Sequence, residues 1–186
     1  MDGGSFFNAP KACRPEDRRT STSLSQTLEV VFPGSLLAAG FWLYVWRVRT
    51  SEHGDLLYVG RTGDSSSAKA APPYRRMGQH LGFVKASNAL RAHLKRHGVE
   101  PESCISFQFI AHGPIFAQQS EMLAHKPLRN KVAALEKALA DSLAASGYEV
   151  LNTVNCRMGL DAELWRIVRE AFAPYFPELA MAKNHE

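Results

Sequence analysis

A carboxylate and two phenols stand where ordinary core packing would not place them. Val132, Leu135, Leu139 and Leu143 recur at helical spacing and define one apolar helix face. Glu136, four residues after Val132 and three before Leu139, borders that face, while Lys137 and Asp141 point away to solvent. A carboxylate at such a margin is costly unless it is ion-paired or holds a metal. Position alone favours the ion pair, because paired helix carboxylates are common. Tyr44 and Tyr58 lie in two mostly apolar runs, Phe41-Trp42-Leu43-Tyr44-Val45-Trp46 and Leu56-Leu57-Tyr58-Val59-Gly60. Phenols in a sheet ordinarily pack as core with their hydroxyls satisfied. Gly60 closes the second run, where backbone can approach a ligand closely. Arg61 and Thr62 follow as candidate phosphate contacts.

Charge adds a second signal. The net charge of +4 decides little. From Ser65 to Val99, however, there is no acidic residue, and Lys69, Arg75, Arg76, Lys85, Arg91, Lys95 and Arg96 fall in that stretch with His80, His93 and His97. Such a field suits a polyanion. A solvated basic face balanced in space by acidic residues fits equally well. His93 and His97 have the i, i+4 spacing of a metal pair but no evident third ligand, so contact with nucleic acid is the favoured role of that helix.

These residues need elements to hold them. Residues 1–27, rich in Ser, Thr, Arg and Pro, form an expected flexible arm. Thr27 to Phe32 is a candidate short strand stopped by Pro33-Gly34. Phe41 to Arg49 and Leu56 to Thr62 are predicted strands of one hairpin. Residues 63–73 form a loop. Helices are predicted over Tyr74 to Phe83, over Ser87 to Arg96 with Gly98 as its stop, and over Leu128 to Ala145 with Gly147 as its stop. Cys104 to Ala111 alternates as a third strand, Tyr148 to Val154 is a short extended segment, and Asp161 caps a last helix through Phe172. Trp42 and Trp46 share a strand face with Tyr44 as core. The class is an α/β sandwich (α+β) with a small, three-stranded, largely antiparallel sheet flanked by helices.

At 186 residues and 45% hydrophobic content, the chain supports about one domain with a sizeable core, and wholesale disorder is excluded. The longest apolar run, Leu36 to Trp46, is too short to span a membrane. Pro10, Glu16, Asp17, Arg18 and Arg19 stand where a signal peptide would need apolar residues. The three cysteines are odd in number and widely spaced, so no disulfide framework is expected and a cytoplasmic location is.

Tyr44 within Trp42-Leu43-Tyr44, then Tyr58-Val59-Gly60, then Arg76, then the helix-borne Glu136, then Asn152, together resemble the GIY-YIG nuclease family over about residues 41–155. Arg76 has His80 one turn on, the R-x-x-x-H spacing of some members. Arg75 is the adjacent alternative, but only Arg76 has a histidine at i+4. Trp42 departs from the family pattern, which has glycine there, and the loop between Gly60 and Arg76 reads as an insertion.

The resemblance implies a three-stranded antiparallel sheet with helices at residues 28–160, followed by a C-terminal helical extension at 161–186. It implies hydrolysis of DNA phosphodiesters with one Mg²⁺ (or Mn²⁺) held by Glu136, waters and phosphate completing the shell. Arg76 would grip phosphate oxygens in bidentate fashion. Tyr44 resembles the family's general base and Tyr58 would bond the water or phosphate. A free phenol has a pKa of about 10, so Tyr44 would need the metal and Arg76 beside it. His80, nearer neutrality by nature, is the physically easier base or the acceptor of a proton passed through Tyr44. Asn152 would hold phosphate or orient a neighbour. Arg61, Thr62, Arg75, Lys85, Arg91, Lys95 and Arg96 are the candidate nucleic-acid contacts.

The compact build most resembles the family's type II restriction enzymes, which implies double-stranded DNA as partner and a homodimer that cuts both strands. A repair or mobile-element nuclease of the same family is the nearest alternative. A catalytically silent nucleic-acid-binding module, motivated by Trp42, would retain affinity without metal and never cut. An incidental match in a structural domain would show no salt-dependent DNA affinity.

Overall fold

A computed structural model describes Met1 and residues 27–181. Four strands, β1 (Phe41–Arg49), β2 (Asp55–Arg61), β3 (Ser106–Phe116) and β4 (Glu149–Val150), form one sheet in the order β3-β1-β2-β4. The helices are α1 (Pro73–Leu81), α2 (Ala89–Arg96), α3 (Met122–Ala145), α4 (Ala162–Phe172) and α5 (Glu178–Met181). β1 pairs antiparallel with both β2 and β3, whereas β2 pairs parallel with β4. The expected three-stranded sheet is therefore corrected to a mixed four-stranded one. Two residues carry no readable periodicity, so β4 emerges only from its contacts with Leu56 and Leu57.

β1 reads as an unbroken apolar run from Phe41 to Trp46 because helices cover both of its faces there. Phe41, Leu43 and Val45 pack with Leu57 and Val59 of β2 and with Val132, Leu135, Leu139 and Leu143 of α3. Tyr44, Trp46 and Val48 pack with Leu56 and Tyr58 and with Leu90 and Leu94 of α2. Val168 and Phe172 of α4, with Phe176 and Leu179, complete the α3 side, so the C-terminal helices are built into the core.

Several predicted boundaries move. β3 runs on to Phe116 instead of ending at Ala111. Residues 27–33 form no strand; Leu28, Val30 and Val31 are exposed there. α3 begins at Met122 rather than Leu128, carrying Pro127 in its interior. His125, fully buried in that first stretch, stacks on Phe41 and bonds Gly63 O at 2.9 Å, so tertiary anchoring overrides the helix-breaking signal. α2 starts at Ala89, with Asn88 rather than Ser87 at its cap. Both glycine stops hold. Gly98 and Gly147 take positive φ, and the two 6→1 and 5→2 bonds of the Schellman motif close α2 (Val99 N to Leu94 O, Gly98 N to Lys95 O) and α3 (Tyr148 N to Leu143 O, Gly147 N to Ala144 O). Asp161 caps α4 by accepting from Leu164 N at 3.2 Å. No helix among the described residues is long and apolar enough to cross a membrane.

Asn152 continues the parallel pairing with its side chain. Its Oδ1 accepts from Val59 N at 2.9 Å and its Nδ2 donates to Val59 O at 2.8 Å. Val59 is fully buried, so these are the bonds that satisfy its outward backbone groups. Asn152→Ala is expected to cost roughly 1–3 kcal/mol in urea unfolding, and Asn152→Asp, which accepts but cannot donate, is expected to recover little of it.

Candidate active site at the end of the first hairpin

The site begins with register. Tyr44 faces Gly60 across the β1–β2 ladder, and Trp46 faces Tyr58. Both phenols thus point to the α1–α2 side. A Cβ on Gly60 would stand 2.5 Å from Tyr44 Cε2, so only glycine lets the Tyr44 ring lie across β2. α1 then brings His80 over both rings. Tyr44 Oη and His80 Nε2 share a buried hydrogen bond of 2.6 Å, and the Tyr58 ring lies 5.1 Å from the His80 ring. One turn earlier on α1, Arg76 forms an ion pair with Asp64 from the loop after β2.

Glu136 arrives from the opposite face. Arg61, at the end of β2, points to the α3 side and donates from Nε to Glu136 Oε2 at 2.7 Å. Side-chain exposure is 18% for Arg61 and 15% for Glu136, so water screens the pair little. The ion pair favoured by position is thus present, and its cation is a residue assigned from sequence to nucleic acid. Glu136 Oε1 receives no hydrogen bond among the described residues. One free hard oxygen fits a Mg²⁺ site completed by waters and phosphate. His, Cys, Asp and Glu form no group of three or more suited to a metal among the described residues. His97 bonds Glu149 at 2.9 Å.

The electrostatics show one shared field. Burial pushes the Tyr44 phenol well above its ordinary range, with Tyr58 adding to the rise and Arg76 opposing it. Tyr58 is pushed up to about 12, by burial first and then by Glu136, against Arg76. Burial and Arg76 lower His80 to about 4. Burial raises the Glu136 carboxyl, opposed by Arg61 and then Arg76. A phenolate at Tyr44 is therefore disfavoured despite Arg76, and His80 alone is a weaker base than a free imidazole. At neutral pH the two form a neutral, hydrogen-bonded pair beside two guanidiniums. Arg61 Nη1, Arg76 Nε and His80 Nδ1 are buried without a hydrogen-bond partner among the described residues.

Other sequence-assigned residues fall differently. Thr62 is fully buried; its hydroxyl accepts from Trp42 N at 2.9 Å and donates to Gly40 O at 2.5 Å, which corrects its assignment as a nucleic-acid contact. Arg91 is engaged within the fold. It bonds Leu81 O and Glu102 and lies over the Phe83 ring, fastening α1 to α2. Lys95 pairs with Glu100 at 3.3 Å. Arg75, Lys85 and Arg96 are exposed. Asn152 has both amide groups on Val59, which makes it a brace for β2 rather than a phosphate ligand in this state. Trp42, where the resemblance expects glycine, donates from Nε1 to Ala38 O at 3.1 Å and packs on Gly113, where any Cβ would stand 2.9 Å from its ring. The sequence reading missed Asp64, the last acid before the acid-free stretch, and the cations Arg129 and Arg157 beside Arg61.

Two outcomes test this geometry. Gly60→Ala is expected to cost about 1–3 kcal/mol by overpacking against Tyr44, while Gly78→Ala, exposed on α1 with open space at its Cβ, is expected to be neutral or stabilising; denaturant midpoints compare them. His80 titrates near 4 when folded and near 6.5 when unfolded, so the unfolded chain binds more protons between those values. Stability is therefore expected to fall as pH drops from 6.5 to 4, by on the order of 2–4 kcal/mol, and His80→Gln to lack that component. No family model, no curated protein and no solved structure significantly matches this chain.

Proposed function

We propose that this chain is a divalent-metal-dependent endonuclease that hydrolyses phosphodiester bonds in double-stranded DNA, a type II restriction-like enzyme of the GIY-YIG kind. The observation that carries the reading is the 2.6 Å Tyr44–His80 bond set within the field of Arg76, Arg61 and Glu136, residues drawn from β1, α1, β2 and α3 to one end of a hairpin.

Phosphodiester hydrolysis needs a positioned water, charge on the phosphate oxygens and a path for one proton. Arg76 offers its guanidinium to the phosphate by exchanging Asp64 for a substrate oxygen. Arg61 presents the unpartnered Nη1 toward the same anion. Tyr44 orients the water and takes its proton while passing its own hydroxyl proton to His80 Nε2, so the buried phenol stays neutral as the water becomes a nucleophile. This relay avoids the phenolate that burial opposes and leaves His80 as an imidazolium, whose charge the anionic substrate would have to offset against burial and Arg76. Tyr58 donates to the water or to a phosphate oxygen. When bound at Glu136, Mg²⁺ or Mn²⁺ supplies charge stabilisation at the phosphate and the leaving oxygen.

The silent binding module retains one observation in its favour: Arg61 already engages Glu136. Supercoiled mixed-sequence DNA incubated with Mg²⁺ or with EDTA separates the two. Discrete Mg²⁺-dependent fragments are expected, with Glu136→Ala at least about 100-fold slower and DNA binding retained. Cutting retained by Glu136→Ala removes that residue as the metal ligand. Random nicking points to a repair nuclease, and no cutting of a broad sequence set favours the binding module. Double-strand cutting with one site per chain also calls for a homodimer, which a sedimentation mass of 20.6 kDa free, and of one 20.6 kDa chain plus the DNA when bound, would exclude.

A further inference from the structure

Beside the Arg61–Glu136 pair, on the side away from Tyr44, lies a cleft of about 610 Å³. One wall is a stripe of α3 at helical spacing, Arg129, Ala133 and Lys137. The other is the segment after β4 that carries Arg157, and Arg61 completes the lining. Ala133 keeps the wall low between the two cations. Lys137 is paired with Asp141, and Asp64, the one acid in the lining, is held by Arg76. Arg129 and Arg157 have no ion pair or hydrogen bond among the described residues. On the α1–α2 side Arg91 and Lys95 are neutralised by Glu102 and Glu100, while Arg75, Lys85 and Arg96 are exposed without an ion pair among the described residues but do not line this cleft with Arg61.

We infer that this cleft is the track for the phosphate backbone of one DNA strand next to the reacting phosphodiester, with Arg129 and Arg157 as its anchoring cations. The inference rests on the nuclease reading for the identity of the polyanion and adds the surface that holds it. The stripe from Arg129 to Lys137 rises about 12 Å along α3, which matches about three phosphates of one strand at 3.4 Å of axis each. Arg61 joins the track to the site, because it lines the cleft while its Nε holds Glu136. Guanidiniums without carboxylate partners are the groups that gain most from a phosphate, since no existing pair must be broken. The contacts go to backbone, so they set affinity and register and not sequence preference.

The test is fluorescence anisotropy of a labelled pool of random-sequence DNA duplexes in EDTA, from about 50 to 200 mM salt. The chain is compared with Arg129→Ala/Arg157→Ala and with Lys85→Ala/Arg96→Ala from the α1–α2 side. The first double variant is expected to bind more weakly on every sequence and to lower the slope of log K against log salt by about 2. It is expected to melt at the unaltered temperature, because neither guanidinium holds a neighbour. The second double variant is expected to change the slope less. An unchanged slope in the first variant overturns the track, as does absence of DNA binding by the unaltered chain. Cleavage with Mg²⁺ is scored separately. Cutting with an unchanged slope leaves the nuclease and removes the track, whereas a lowered slope without cutting leaves the track on a binding module.

Discussion

The Arg61–Glu136 ion pair ties the last residue of β2 to the middle of α3, and the site is arranged around it. Burial alone would drive the Glu136 carboxyl toward its neutral form. The guanidinium 2.7 Å away opposes that, so the charge persists where little water reaches it. Removing either partner of a pair this sheltered typically costs about 3–5 kcal/mol, because an uncompensated charge is left behind. The pair is thus a structural clasp as it stands. It also holds a carboxylate within the electrostatic reach of both tyrosines.

The other half of the site follows the opposite rule. Tyr44 and His80 meet in a pocket that penalises charge on either of them. Two nearby guanidiniums should favour a phenolate, yet desolvation is the larger effect on Tyr44, and for His80 it acts in the same direction as Arg76. A neutral donor–acceptor pair is what low dielectric rewards, because neither side carries a buried charge while the proton stays on Tyr44. Gly60 makes that bond geometrically available by leaving room for the Tyr44 ring. The glycine, the phenol and the imidazole therefore form one steric and electrostatic unit.

Much of this was legible in the sequence. β1 matches its predicted limits from Phe41 to Arg49, the hairpin follows, and the glycine stops and the Asp161 cap are where turn and cap chemistry put them. Glu136 at the edge of an apolar stripe was visible from spacing alone, and so was the ion pair, though not its partner. The rest depended on contacts distant in the chain. β4 has too few residues to show a period. Asn152 reaches Val59 across 93 positions, and His125 anchors the start of α3 through a carbonyl 62 residues away. Thr62 looked like a phosphate ligand because threonine after a glycine-ended strand suits that role, but the close of the β1–β2 ladder buried its hydroxyl between Trp42 and Gly40.

Charge shows most plainly why linear order misleads. The acid-free stretch from Ser65 to Val99 suggested a basic face, yet the chain returns Glu100 and Glu102 to it immediately afterwards, where they bind Lys95 and Arg91. Asp64, one residue before the stretch, does the same for Arg76. Among the described residues Arg75, Lys85 and Arg96 are without carboxylate partners, as are Arg129 and Arg157, which lie too far apart in the chain to have drawn notice in the sequence. They converge because α3 and the segment after β4 both border the end of β2. A field that a polyanion senses is set by which charges lack a partner within a few ångströms, and screening erases the rest beyond about 10 Å. On that measure one open positive surface lies along α3, and it meets the candidate site at Arg61, the residue common to the cleft and the ion pair.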